Sequence, residues 1–376
     1  EDGYHIWSQR YDREMADVFE VQDEIVASIV EALGATLVAA SPRRPRRPTD
    51  NLQAYDLYLK GRYYWNQRSP TVFPLAIKHF EEAIALDPEF ALAYSGLADC
   101  YSILRVYGWT PVEHTRPRAA EAVARALALE PDLPEARFSK ALYTFYFDQH
   151  WRAARVDFEE ALRATPESAT FEAYYGLFLA TEYRYAEARR HLERALDLDP
   201  HSSLIHFLAA CSACTMGDAE GAVRHASRAL ALQPDALGPR WPQTVGLLMA
   251  GRNDEALAAG EQVIARTRAP IYIGVLGMVY GRLGRMADAR ALVTELRERE
   301  GRGEYIVPAA WLSLALGLED LPRVREALAG CVDGAVAPFS VVSTSRWLLD
   351  PLRTDAEIDA LLDRLLDGAK PTASPL

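Results

Sequence analysis

Cys211-Ser-Ala-Cys214 is the only CxxC in the chain. Two thiols at that spacing can carry a disulfide exchange or supply half of a zinc site. A redox pair of this kind follows a strand and opens a helix, whereas these two cysteines sit inside an alanine-rich helical run. Zinc would require two further ligands, and only His206 is near in sequence. The pair therefore reads as small residues on a helix face. Asp148-Gln149-His150-Trp151 gathers polar groups around one aromatic, as expected of a turn between helices with an anchoring ring. The eight histidines form no HExxH pair, and the chain has no GxxxxGK, GxGxxG or GxSxG motif. Aspartate and glutamate are plentiful, and solvated helix faces account for them. The expectation is a chain that is not an enzyme, with no catalytic residue, no metal and no cofactor.

Composition narrows the classes further. The chain has 376 residues, 49% of them apolar, and a formal charge of −12. That charge argues against binding nucleic acid through this segment, which would need lysine and arginine to neutralise phosphates. Four cysteines in so long a chain do not form a disulfide framework, which points to a reducing, cytoplasmic setting. No apolar run approaches the roughly 20 residues that cross a bilayer.

The elements that position these residues are marked by a returning proline. Pro88, Pro131, Pro166, Pro200 and Pro234 close the phrases AIALDP, ALALEP, ALRATP, ALDLDP and ALALQP. The steps from 166 to 200 and from 200 to 234 are both 34 residues. A fixed period of this size signals a stacked array of helix pairs. Counting Ala169 as position 1, Gly176 falls at 8, Ala188 at 20, Leu192 at 24, Ala195 at 27 and Pro200 at 32. Two antiparallel helices pack closely only where facing side chains are small and a larger neighbour fills the gap. Gly61, Ala76, Phe80 and Ala83 repeat the pattern, as do Ala141, Ala154, Phe158 and Ala161, and Ala210, Ala222, Ala226 and Ala229. Ala98, Ala119, Val123 and Ala126 do so with a longer insertion through Tyr107-Gly108-Trp109.

On these residues the chain resembles the tetratricopeptide repeat family. The resemblance implies an all-α, right-handed superhelical solenoid of antiparallel helix pairs. About seven repeats are expected over 51–300, with a degenerate pair and capping helices over 301–376. It also implies that positions 2, 5, 9 and 12 of each first helix line a concave groove. Among them are Glu135, Phe138, Leu142 and Phe145 in the third repeat, Leu177 in the fourth, Phe207 in the fifth, Trp241 and Val245 in the sixth, and Met278 in the seventh. The strip is apolar for a wall facing water: left exposed it marks an interaction site, and the alternative is that tight superhelical winding or the amino-terminal helix covers it. The clamp of chaperone-binding relatives is absent, since Ser95, Asp99, Ala173 and Leu177 occupy comparable places. The expected function is a scaffold that receives a protein, peptide or helix in this groove. The alternative is an intramolecular arm that binds a small effector or its own upstream domain.

The amino end carries a second resemblance. Residues 1–11, EDGYHIWSQRY, read as a short strand, and Met15 to Leu37 as an amphipathic helix. HIWSQRYDREMADVFEVQDEI resembles the end of the TolB-amino-terminal-like domain that precedes such repeats in bacterial signalling proteins of the cyclase, kinase or winged-helix type. NLQAYDLYLKGRYYWNQRSP and DPLRTDAEIDALL resemble their carboxy-terminal halves. The expected organisation is a domain remnant over 1–40 from a longer protein, and a Pro/Arg linker over 41–50. A strand without a partner could also pair with another copy and make a dimer.

Overall fold

The computed structural model describes residues 48–68, 72–148, 150–335, 341 and 346–366. The expected strand and helix of the amino end lie outside these residues, and of the linker only Pro48, Thr49 and Asp50 are described.

The prolines end helices as their chemistry requires. The residue preceding proline is pushed out of the helical region. Asp87, Glu130, Thr165, Asp199 and Gln233 all take φ between −136° and −143° as carboxy-terminal caps. Side-chain oxygens of Asn51, Ser168, Ser202 and Asp218 cap the starts of other helices. Among the described residues this punctuation gives seventeen α-helices. They form eight antiparallel pairs: α1 (Leu52–Asn66) with α2 (Phe73–Leu86), α3 (Ala91–Tyr107) with α4 (Val112–Leu129), α5 (Pro134–Tyr143) with α6 (Trp151–Ala164), and α7 (Ala169–Thr181) with α8 (Tyr185–Leu198). Then follow α9 (Ser203–Met216) with α10 (Ala219–Leu232), α11 (Arg240–Met249) with α12 (Asn253–Arg266), α13 (Pro270–Arg282) with α14 (Met286–Gly301), and α15 (Pro308–Gly317) with α16 (Leu321–Gly330). A π turn over Thr144–Asp148 extends α5. The final helix α17 (Ala356–Leu365) packs on α16. The fold is an all-α solenoid of helix pairs.

Small residues sit where the spacing placed them. A β-carbon on Gly61 would lie 2.7 Å from the Phe80 ring, and one on Gly176 would lie 2.8 Å from Leu192 Cγ and 3.2 Å from the Ala188 carbonyl. Ala188 and Ala195 are fully buried. First helices of neighbouring pairs also touch, which winds the stack. Between α13 and α15 the contact is backbone on backbone: a β-carbon on Gly281 would lie 2.0 Å from the Gly317 carbonyl.

The stack comes round on itself. Gly108 turns the chain after α3 at φ +61°, and a β-carbon there would meet Val307 at the start of the eighth pair, 2.4 Å away. Trp109 then packs edge-on to Phe73 and stacks on Tyr107 at 4.3 Å. A second tie crosses from the carboxy end. The Arg346 guanidinium stacks on Tyr183 at 4.1 Å, donates to Tyr185 Oη and lies 3.0 Å from Asp350.

Candidate functional site

The residues that the family resemblance assigns to the inner groove fall on the first helices of pairs three to seven. Phe138, Leu142, Leu177, Phe207, Trp241, Val245 and Met278 are buried there, as is Phe145 in the π turn that follows α5. Glu135, in the first turn of α5, is half-buried. Phe138 is only 2% exposed because it stacks on Phe171 at 4.3 Å and meets Tyr174 edge-on at 5.4 Å. Phe145 sits edge-on to Phe178 and Trp151. Met278 lies under the backbone of Gly317. In this closed turn the apolar strip faces other side chains of the same chain.

What fills the hollow is a hub of aromatic and cationic groups. Trp65 and Arg68 arrive from the end of α1, Tyr107 from the end of α3, and Tyr146 from the π turn. Tyr174 comes from α7, Phe207 and Cys211 from α9, Gly238 from the turn before α11, and Tyr272 from α13. The Arg68 guanidinium lies 3.7 Å from the centre of the Trp65 ring and donates from Nη2 to Tyr174 Oη. Gly238 brings its backbone close: a β-carbon there would come 3.1 Å from Tyr107 Oη and 3.4 Å from Arg68 Cβ. Burial pushes the phenols of Tyr107, Tyr146 and Tyr272 above their ordinary value, and that of Tyr174 up to about 12. All four therefore remain protonated near neutrality, and their hydroxyls are available to donate.

Several of these donors have no acceptor among the described residues: Arg68 Nε and Nη1, Tyr107 Oη, Tyr272 Oη and Trp65 Nε1 are buried without a hydrogen-bond partner there, as is Trp109 Nε1 beyond Tyr107. Beside them lies one satisfied ion pair. Asp99 Oδ2 accepts from Arg62 Nη1 at 3.1 Å, and Oδ1 accepts from Ser139 Oγ at 2.7 Å. Burial raises the Asp99 carboxyl to about 6, against the pull of Arg62. Arg105 is also buried. Its Nε donates to the Tyr146 carbonyl at 2.9 Å, and burial lowers its pKa to about 10. The sequence reading missed this hub. The available signal was the insertion at Tyr107-Gly108-Trp109, which is longer than a repeat requires.

The other candidates have plain placements. Cys211 and Cys214 are buried in α9, and burial pushes both thiols up, away from the reactive thiolate. Among the described residues no group of three or more histidine, cysteine, aspartate or glutamate side chains is placed to hold a metal. Asp148 pairs with Arg116 at 2.8 Å, and Trp151 is a core residue. Among the described residues no helix is long and apolar enough to cross a membrane. A cleft of about 290 Å³ lies between the last two pairs, lined by Val293, Trp311 and Leu314 with Arg297 and Glu326 at its edge.

Comparison with known proteins agrees with the packing. Residues 143–203 match the tetratricopeptide repeat family. The chain is 35% identical over 97 residues to a putative adenylate cyclase 3 of Rhizobium meliloti, covering 26% of this chain and 16% of that protein. It is 26% identical over 144 residues to the transcriptional regulator HilA of Salmonella typhimurium, covering 38% of this chain and 26% of that protein. The chain thus spans a quarter or less of the cyclase-like relative and about a quarter of the regulator. Among solved structures, the human IFIT1 dimer with PPP-AAAA superposes with a TM-score of 0.56 at 17% identity, covering 92% of this chain and 78% of that one. At that identity the likeness concerns the fold.

Proposed function

We propose that this chain, a tetratricopeptide repeat array, is a non-enzymatic regulatory arm of a bacterial signalling protein, held in a closed turn that must open to expose its recognition surface. The fold supports a role as a protein-interaction scaffold. The observation that carries the finer reading is the burial of the inner strip. Phe138, Phe207 and Trp241 are the aromatic anchors a partner would use, and all three are buried within the chain, Phe138 against Phe171 and Tyr174. A surface presented only in a minor open state binds with an affinity reduced by the open fraction, so whatever opens the turn controls the partner. The partner is a protein segment: a peptide or helix, or the arm's own upstream domain. Similar stretches in a putative adenylate cyclase and a transcriptional regulator support the regulatory setting. Four unpaired buried thiols suit the cytoplasm. The charge of −12 disfavours nucleic acid.

The test is capture of the parent protein's amino-terminal portion by this chain and by a Trp109→Ala chain. Trp109→Ala loosens the seal and leaves the strip intact. The reading expects capture to rise severalfold; equal capture by two folded chains would overturn control by closure. A free peptide is the second reading, favoured by the same three aromatics. Phe207→Gln in a chain that stays folded should abolish its capture, and unchanged capture would remove the strip as the site.

A further inference from the structure

We infer that the hub is an oxyanion site, anchored by the Arg68 guanidinium, for the phosphate or carboxylate group of a small acidic effector. The inference rests on the closed-turn reading above and names what that turn would sense.

The argument begins with charge. Arg68 is 3% exposed, and its only hydrogen-bond partner among the described residues is a neutral phenol, Tyr174. The nearby carboxylate, Asp99, is already engaged on both oxygens by Arg62 and Ser139. A buried guanidinium left in this condition is costly, and proteins rarely keep one unless something accepts from it. Backbone geometry adds to the cost. Arg68 has φ +50°, in the left-handed region; the corresponding turn position is glycine in pairs six and seven, at Gly251 and Gly284, and a side chain at positive φ in pairs four and eight, at Tyr183 and Glu319.

The surroundings indicate the ligand's chemistry. Tyr107, Tyr272 and Trp65 each present a buried polar atom without a partner among the described residues, and an indole N–H can only donate. Their common complement is a group that accepts and does not donate. Water would answer the hydrogen bonds but not the charge. An ionised oxyanion answers both, and guanidinium–oxyanion bonds are among the stronger ones available. The absence of a side chain at Gly238 lets the backbone approach Tyr107 and Arg68 closely. Because the donors come from separate helix pairs, a ligand that satisfies them together would hold the turn closed. It enters as the turn opens, so association should be slow.

The test uses the whole chain at constant ionic strength, with sodium chloride as the balancing salt. Inorganic phosphate and acetate are the probes, read by calorimetry and thermal melting. The expected result is saturable one-to-one binding of at least one oxyanion. Affinity should drop at least tenfold in Arg68→Met and severalfold in Tyr272→Phe, which keeps the ring and deletes the hydroxyl. Phosphate alone indicates a phosphorylated effector, and acetate alone a carboxylate; either supports the site. A melting temperature that moves no more with either probe than with chloride overturns it. So does undiminished affinity in a folded Arg68→Met chain. If Arg68→Met does not fold, undiminished affinity in Tyr272→Phe overturns it. These measurements need no partner, so their failure leaves the Trp109→Ala capture result standing, and the reverse also holds.

Discussion

Gly96→Ala offers a sharp probe of how the first two pairs are joined. Phe80 on α2 is fully buried and lies between two glycines, Gly61 on α1 and Gly96 on α3. A β-carbon on Gly96 would lie 2.4 Å from Phe80 Cε1 and 2.5 Å from Cζ. Carbon atoms rest about 3.5–4.0 Å apart, so the overlap is roughly 1 Å. The ring cannot retreat, because Gly61 backs it from α1 and Tyr58 packs at 5.9 Å. Alanine gains about 1 kcal/mol over glycine in a helix interior. Overpacking of this depth costs about 1–3 kcal/mol. The net expectation is a loss of about 0–2 kcal/mol, about 1 kcal/mol at mid-range. Gly301, at the end of α14, is the control: nothing lies within 4 Å of its β-position, and its φ is not positive. Gly301→Ala should be neutral or gain a few tenths of a kcal/mol. Guanidinium unfolding followed by circular dichroism should show a lower midpoint with an unchanged slope for Gly96→Ala. Phe80→Leu removes the outer ring atoms, so the double variant should recover about 1 kcal/mol relative to additivity. A Gly96→Ala chain more stable than wild type, or a cycle with no coupling, would refute the three-helix wedge.

Further outcomes follow from the same packing. Ala195→Leu inserts bulk at a fully buried contact between α7 and α8 and should cost about 1–3 kcal/mol, with Ala195→Ser milder; a neutral leucine variant in denaturant titration would mean that the register of the fourth pair is wrong. Asp99 titrates near 6 when folded against an ordinary 3.8, so the folded state holds its proton more tightly and stability falls as pH rises through that window. The stability of wild type minus that of Asp99→Asn should therefore decrease by up to about 3 kcal/mol between pH 4 and 7, and a constant difference in urea melts would contradict it. His225 runs the other way: burial first, then neighbouring His206, lowers it to about 4 from 6.5. Stability present above pH 6.5 should be lost as pH falls toward 4, and His225→Gln should flatten that acid slope in thermal melts.

Local steric rules were legible in the sequence. The residue before each of five prolines ends its helix in one geometry, and Gly61 against Phe80 and Gly176 against Leu192 and Ala188 follow from spacing alone. The apolar character of Phe138, Phe207 and Trp241 was equally plain. Their covering was not, because it depends on how neighbouring pairs rotate against one another, as where Phe171 and Tyr174 close over Phe138. Gly274 and Gly281 let the α13 backbone touch α15. Arg68 looks like an ordinary solvated residue at a helix end. Only the returning turn converts it into a buried cation, and nothing periodic announces that.

Gly108 against Val307 has a consequence for assembly. An open stack frays from either extremity, and each module depends mainly on the one beside it. Here the second module leans on the eighth, so removing the last modules strips support from near the beginning. The contact joins segments very far apart along the backbone, and such pairings form late and slowly. A nascent chain would therefore lack this support until the eighth module has been made, and the ring would lock only when that module arrives.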